Sequence, residues 1–285
     1  MKIVIGTNTY GNYHRQTIAA ESWNDLKIKF QDIVDIVDIQ FKDEEDIFEN
    51  HYNLDVKFDL DRSSLDLIPD SQKKLPFVND IIKNISKYVE NEDDYFIFTN
   101  SDVIINSNLI KYIIDNKPEC FACSRLDIEN ISSFQNLKNE IKIVRWEIAG
   151  FDTFIFKKSW YMKWSHMFND YLLGKPEFDH VYAFIMKAYG DNTPFGNHYP
   201  PFCFHIHHGL ASVTTECPEL HYNRKVLKEN SFDTMAARIM FYHLKYNLIK
   251  RKPWGAFLEP EKTEKQFEYN FFKNFNINHT PNFRD

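Results

Sequence analysis

The stretch that decides the fold is Tyr95-Phe96-Ile97-Phe98-Thr99-Asn100-Ser101-Asp102. Its four apolar residues predict a buried β-strand, and the polar residues that follow predict a turn carrying a carboxylate. In an α/β protein, ligands bind beyond the carboxyl ends of the strands, so this turn lies at the expected functional edge. Oxygen ligands of this kind suit a hard divalent cation. A helix-capping or turn-closing role explains Asp102 equally well at this point.

The residues on either side of this strand predict alternating strands and helices. Lys2–Gly6 is a β-branched strand followed by a polar loop and a helical pattern, and Ile33–Phe41 is a second strand. Apolar residues fall on one helical face from Lys74 to Tyr88. This order predicts an α/β fold, a Rossmann-like mixed sheet flanked by helices. After Cys120 the pattern predicts separate strands at Cys120–Ser124, Ile141–Trp146 and Thr153–Lys157, and a helical pattern follows Asn223.

No internal repeat, low-complexity tract or clear linker divides the chain. We therefore expect a main domain over residues 1–222, with a nucleotide-binding half of about 1–118 and an acceptor half of about 119–222. Residues 223–285 are expected to form a helical C-terminal extension packed on the same domain.

Composition excludes several classes of protein. The 285 residues carry 41 acidic and 34 basic side chains, and a net charge of -7 does not favour nucleic acid as a partner. No apolar run approaches the roughly 20 residues of a transmembrane helix, and the N-terminus lacks a signal-peptide pattern, so a cytoplasmic protein is expected. Cys120 and Cys123 have the spacing of a zinc ligand pair, but they lie in a strand-like run that favours buried thiols.

Three histidines occur within the four residues His205-Ile206-His207-His208. On a strand His205 and His207 share one face, so a single metal ion is expected to meet His207, with or without His205. A zinc site made of histidines alone is the competing interpretation, and it lacks an evident third ligand.

A second carboxylate, Asp179, precedes the helical pattern Val181–Tyr189, which ends at Gly190. A carboxylate at a helix start is commonly a cap that stabilises the helix by about 1 kcal/mol. It can also act as a base, and the two roles are compatible.

The order of these features resembles the GT-A glycosyltransferases, particularly the family-2-like inverting group. Those enzymes have an opening β-loop-α unit for the nucleotide, a strand ending in Asp-x-Asp, a Glu-Asp pair starting a later helix, and then a histidine. Here the counterparts are Asn100-Ser101-Asp102, Phe178-Asp179 and the three histidines, over about residues 1–210. The spacing of eleven residues from Asp179 to Gly190 also matches the family pattern.

The resemblance implies transfer of a sugar from a nucleotide sugar, a UDP- or GDP-sugar, to a hydroxyl group of a glycan, lipid-linked or protein acceptor. It implies Mn²⁺ or Mg²⁺ held by Asp102 with His207 and His205, and it implies Asp179 as the base of an inverting reaction. Residues expected to bind the donor are Thr7, Asn8, Tyr10, Arg62, Lys74, Asn100 and Ser101. Residues expected near the acceptor are Trp146, Gly150, Phe151 and Asp152.

Two departures from the family pattern leave alternatives open. Asn100 stands where the family has its first Asp, and Phe178 stands where it has Glu. A catalytically silent GT-A-like module that binds nucleotide or glycan is therefore a second hypothesis. A retaining GT-A enzyme is a third, because His243 and Lys252-Pro253-Trp254 resemble a segment of some retaining members.

The C-terminal run from Met240 to Trp254 mixes bulky apolar residues with a basic end. This pattern predicts either a helix packed on the core or a peripheral contact with a membrane surface.

Overall fold

The computed structural model describes residues 1–190, 202–208 and 215–250, with the side chains of 145–149 and 241–250 outside this description. The predicted roles of the Trp146 and His243 side chains, and of Lys252-Pro253-Trp254, lie outside the described residues. So does the part of the proposed membrane-contact segment that follows residue 250.

Eight strands form one sheet in the described part of the chain, in the order β3-β2-β1-β4-β7-β6-β8-β5. The strands are β1 Ile3–Thr7, β2 Val34–Phe41, β3 Asp55–Leu60, β4 Tyr95–Thr99, β5 Val103–Ile105, β6 Cys120–Ile128, β7 Ile143–Lys157 and β8 Cys203–Ile206. Strands β3, β2, β1 and β4 run parallel, whereas β7 is antiparallel to both β4 and β6. The expected mixed α/β sheet is thus confirmed.

Helices flank this sheet, as expected. They are α1 His14–Lys29, α2 Ser64–Leu67, α3 Val78–Ile85, α4 Ser107–Asn116, α5 Leu137–Glu140, α6 Lys158–Trp164, α7 Phe178–Tyr189, α8 Pro218–Glu229 and α9 Ser231–Lys250. The boundary expected between residues 222 and 223 falls inside α8. None of the helices in the described ranges is long and apolar enough to cross a bilayer.

Three local predictions need correction. The helix expected from Lys74 begins only at Val78, because Pro76 bridges to Ser63 and the residue before a proline avoids helical geometry. The separate strands expected around Trp146 and Lys157 are one continuous strand, β7. Strand β3 was not expected, although Val56, Phe58 and Leu60 alternate with charged residues in the pattern of a half-buried edge strand.

For Cys120 and Cys123, the structure supports buried thiols rather than a zinc ligand pair. Cys120 packs in the hydrophobic cluster on one side of the sheet, and Cys123 packs in the cluster on the other side. Residues three apart on a strand point to opposite faces, so these two thiols do not share a metal ion. Both thiols are buried, and neither belongs to a disulfide.

Gly6 lets α3 pack directly on the first strand. A β-carbon added at this residue meets the Ile85 side chain at 2.3 Å, and the nearest atoms belong to a β-branched side chain that is fully buried. Such a side chain has little freedom to move aside.

We expect Gly6→Ala to lower the free energy of unfolding by about 1–3 kcal/mol through overpacking. Urea denaturation measures this change. Ile85→Ala in the same background provides the double-mutant cycle: the two substitutions should be strongly non-additive, because the shortened side chain leaves room for the new methyl group. Additive effects would contradict the assigned contact.

Candidate functional site

Strand pairing brings the acidic turn and the histidines together. Strand β5 begins directly after the turn and pairs with β8, so that Val103 lies opposite His205. Strand β6 pairs with β8 on its other side, and there Asp127 lies opposite His205. His205 is therefore placed between two carboxylates, Asp102 and Asp127.

Asp102 is the centre of a cluster of nitrogen groups. Its Oδ2 lies 3.4 Å from Nε2 of His205 and 3.4 Å from Nε2 of His208. The same oxygen accepts a hydrogen bond from Nε of Arg15 at 3.1 Å. Ligand atoms of Asp102, His205 and His208 all lie within 4.8 Å of one another, which is a spacing that suits a bound metal ion.

The charges of this cluster follow from its contacts. Burial alone raises the pKa of the Asp102 carboxyl, but the hydrogen bonds from His205 and His208, with the charge of Arg15, hold that pKa well below its ordinary value. Burial lowers the pKa of His205, and the two carboxylates beside it more than offset this, so that the net shift is upward. Asp102 is therefore an ionised carboxylate at neutral pH.

The carboxylate of Asp127 orients the rings of His205 and His207. This carboxylate is fully buried, and its oxygens lie 3.0 Å from Nδ1 of His205 and 3.2 Å from Nδ1 of His207. Nε of Arg125 donates to it at 3.0 Å. A carboxylate bound to Nδ1 directs the opposite ring nitrogen, Nε2, towards a ligand or metal. For His205 that nitrogen faces Asp102.

Asn100 connects this cluster to β7. Its Nδ2 donates to Oδ1 of Asp152 at 2.5 Å, its backbone N–H donates to the Asp152 carbonyl at 2.9 Å, and Arg125 forms an ion pair with the same carboxylate. The Asn100 Oδ1 is buried and has no hydrogen-bond partner among the described residues. An unpaired buried acceptor of this kind costs free energy that a bound donor group or cation would offset.

Asp179 lies next along this edge. The backbone N–H of Phe151 points at its Oδ2 over 3.4 Å, and Phe151 directly precedes Asp152 in the chain. Asp179 is in the first turn of α7, where a carboxylate interacts favourably with the helix dipole. The residue at the start of that helix, Glu177, has φ of 99°, a backbone conformation that stores strain in a non-glycine residue.

The loop after β1 is fixed by the end of β2. Asn8 Nδ2 donates to the Ile39 carbonyl at 2.7 Å, and Thr9 donates to Asp38 through its backbone at 2.9 Å and its hydroxyl at 2.5 Å. Burial raises the pKa of Asp38, and the bonds from Thr9 and Gln40 act against this shift. Beside the loop is a cavity of about 260 Å³, lined by Thr9, Gly11, Glu44, Ile47, Phe48, Glu49 and His51.

Of the other predicted donor residues, three are uncharged and two are cations. Ser101 belongs to the cluster and accepts a hydrogen bond from Gln16 at 2.9 Å, and Tyr10 is 51% exposed on the first loop. Thr7 donates to the Thr99 carbonyl at 3.0 Å. The two predicted cations are held in ion pairs, Arg62 with Asp80 and Asp170, and Lys74 with Asp43 and Glu44. Donor phosphates would have to displace these carboxylates.

The structure places His208 beside Asp102, whereas His207 faces Asp127. The predicted alternation holds for His205 and His207, which share a face and a partner. It does not extend to His208, because β8 ends at Ile206. Arg15 and Asp127 were also not expected. Arg15 is the second residue of α1 and closely follows the loop after β1, and this position was the available signal for it.

Of the predicted acceptor residues, Phe151 is the one with a described contact to Asp179. Gly150 is partly exposed, and the Phe151 ring is 1% exposed and approaches His180 edge-on. Asp152 is occupied by Asn100 and Arg125. Phe178, where the resemblance led us to expect Glu, is buried against Phe154 and Tyr182 in the core.

The site thus defined is a cluster of carboxylates and histidines at the end of a mixed α/β sheet. No protein-family model matches the chain, and no curated protein matches it. Among solved structures, it is similar to the crystal structure of S. aureus TarS with 12% sequence identity and a TM-score of 0.45, over 96% of this chain and 48% of that one. The chain therefore spans about half the length of TarS.

A second similar structure is the galactosyltransferase LgtC in complex with donor and acceptor sugar analogs, at 8% identity and a TM-score of 0.33, over 81% of this chain and 96% of that one. An active-site mutant of LgtC gives 8% identity and a TM-score of 0.32 with the same coverage.

We expect Asp127→Asn to lower the free energy of unfolding by about 2–4 kcal/mol, because Arg125 loses a buried charged partner. Urea denaturation measures the change. Asp35→Asn is the matched control: Asp35 forms exposed ion pairs with Lys2 and Lys27, and its loss should cost less than about 1 kcal/mol. Equal effects of the two substitutions would show that the Asp127 network does not stabilise the fold.

Proposed function

We propose that this protein is a GT-A-type glycosyltransferase that uses a nucleotide-sugar donor and a divalent metal ion. The observation that carries the proposal is the cluster of Asp102, His205 and His208 at the end of β4, with Asp179 connected to it through β7. A metal-binding carboxylate and a separate carboxylate base are the two functions that metal-assisted sugar transfer requires.

The residues present fit a divalent ion. One carboxylate and two imidazoles form a donor set that suits Mn²⁺ better than Mg²⁺, which prefers oxygen ligands. Asp102 is ionised, His205 is oriented by Asp127, and Asn100 offers a buried oxygen without a partner among the described residues. When bound, the metal would neutralise charge on the departing nucleoside diphosphate.

The remaining steps fall to the side chains of this chain. The cavity beside Thr9 and Gly11 is the proposed place for the base and ribose, since it opens on the loop after β1. Asp179 is proposed to accept the proton of the acceptor hydroxyl while that oxygen attacks the anomeric carbon. Attack from the face opposite the nucleotide inverts the configuration and requires no covalent intermediate.

A catalytically silent binding module is the second candidate, favoured by the buried Phe178. This residue removes one carboxylate from the start of α7 and serves the core instead. Such a module would retain metal and nucleotide binding and would lack turnover.

The first experiment incubates the protein with Mn²⁺ and a panel of UDP- and GDP-sugars, and measures release of the free nucleotide. We expect release with at least one donor and its loss on chelation of the metal. Binding of nucleotide without release from any donor, with sugar acceptors present, would favour the silent module. No binding of any nucleotide, measured by thermal shift, would exclude both.

Substitution of single histidines distinguishes between two ligand sets. The structure favours Asp102 with His205 and His208, whereas the sequence led us to expect His207 in place of His208. His208→Gln should weaken Mn²⁺ binding by about tenfold or more, whereas His207→Gln should have a smaller effect because His207 contacts Asp127. Titration calorimetry with Mn²⁺ measures both. His221→Gln is the control, since His221 is exposed and pairs with Glu216. A larger loss of Mn²⁺ affinity for His207→Gln than for His208→Gln would instead support the ligand set expected from the sequence.

Asp179→Asn should lower kcat by about 100-fold to 10,000-fold while leaving Mn²⁺ and nucleotide affinity unchanged, because only the proton acceptor is lost. The neighbouring carboxylate supplies the control, and Glu177→Gln should retain most of the activity. If the Glu177 variant loses turnover and the Asp179 variant keeps it, the base has been assigned to the wrong carboxylate.

A further inference from the structure

Arg15 occupies a position that conflicts with a metal ion at Asp102. Its Nε donates to Asp102 Oδ2 at 3.1 Å, and this is the same oxygen that both His205 and His208 face. A dication bound to that oxygen would lie within a few ångströms of the guanidinium charge. Repulsion between the two would then weaken metal binding, or else Arg15 would leave Asp102.

The side chain is held at the entrance of the site by α1. The adjacent Gln16 donates to Ser101 at 2.9 Å, which fixes the first turn of α1 against the acidic turn. Nη2 of Arg15 donates to the Tyr10 hydroxyl at 3.3 Å, and the guanidinium lies 4.8 Å from the centre of the Tyr13 ring. Nη1 has no hydrogen-bond partner in the parts of the chain that the structure describes. With 25% of the side chain exposed, the guanidinium is available to a ligand.

Arginine at this place matches the chemistry of a diphosphate. Its planar group presents parallel N–H donors that bind two phosphate oxygens at once. The first turn of α1 adds the positive end of a 16-residue helix dipole and contains no acidic residue. Tyr10 and Tyr13, which contact Arg15, lie on the loop that borders the proposed nucleotide cavity.

We propose that Arg15 binds the diphosphate of the donor. In the absence of metal and donor, Asp102 keeps this side chain in the position from which it can bind phosphate. This inference rests on the proposed function. Without nucleotide, Arg15 and the metal compete for Asp102. With nucleotide, the phosphate oxygens replace Asp102 as the partner of Arg15, so that the arginine and the metal both stabilise the bound diphosphate.

The test measures two affinities that should change in opposite directions. Titration calorimetry with Mn²⁺ alone should show tighter binding to Arg15→Ala than to the wild type, by roughly fivefold to tenfold, because a competing cation has been removed. Titration with UDP and with GDP at saturating Mn²⁺ should show weaker binding of the preferred nucleotide to the variant, by about tenfold or more.

Two further variants serve as controls. Lys29→Ala removes a cation from the other end of α1, where Lys29 pairs with Asp25, and should alter neither affinity. Arg15→Lys keeps the charge and loses the paired donors, so it should leave Mn²⁺ affinity near that of the wild type and restore only part of the nucleotide affinity.

The outcomes separate this inference from the proposed function. If Arg15→Ala weakens both affinities, or changes neither, Arg15 has no phosphate-binding role and the inference is overturned while the proposed function stands. If the wild type binds neither Mn²⁺ nor any nucleotide, the proposed function fails and the inference fails with it. Opposite changes in the two affinities support the inference, since a purely structural role would not produce them.

Discussion

The buried carboxylate of Asp127 and the nitrogen groups around it hold the site together. An isolated charge in the interior is unstable, so this carboxylate requires partners that remain in place. Arg125, His205 and His207 provide them. Because His205 is tied to Asp127 on one side, its other nitrogen faces Asp102. Because Arg125 is tied to Asp127, its remaining N–H groups reach Asp152 and thereby the neighbourhood of Asn100 and Asp179. The two ends of the proposed reaction, at the metal and at the acceptor, depend on the same buried charge.

This arrangement connects the elements of the site before any ligand binds. Its ionisable side chains come from β6, β8, α1 and the turns after β4 and β8, and each contacts a polar group from another element. Electrostatic catalysis depends on such preorganisation, since dipoles that are already aligned need not be reoriented during the reaction. The strain at Glu177, beside the proposed base, belongs to the same pattern of local cost at a functional site.

The sequence predicted the elements whose signal is local. The strand at Tyr95, the helix before Gly190 and the turn at Asp102 were recognisable, because hydrophobic periodicity and polar turns are properties of neighbouring residues. The shared face of His205 and His207 followed from strand alternation in the same way. His208 and Arg15 were missed because their positions depend on where β8 ends and on how α1 packs against the acidic turn. The carboxylate of Asp127 was missed because one Asp inside an apolar strand has no local signal for pairing with residues about eighty positions away.

The amide of Asn100, where the resemblance led us to expect Asp, has a physical reason within this chain. Its amide donates to the Asp152 carboxylate across 2.5 Å, a contact that a carboxylate at position 100 could not make without sharing a proton or repelling its neighbour. Asp152 is in turn held by Arg125. An amide at position 100 therefore allows a second carboxylate to stand close to the metal-binding corner, while its own carbonyl oxygen remains as a neutral acceptor. This pairing explains the amide at position 100 within the fold, and it is compatible with the metal site proposed at Asp102.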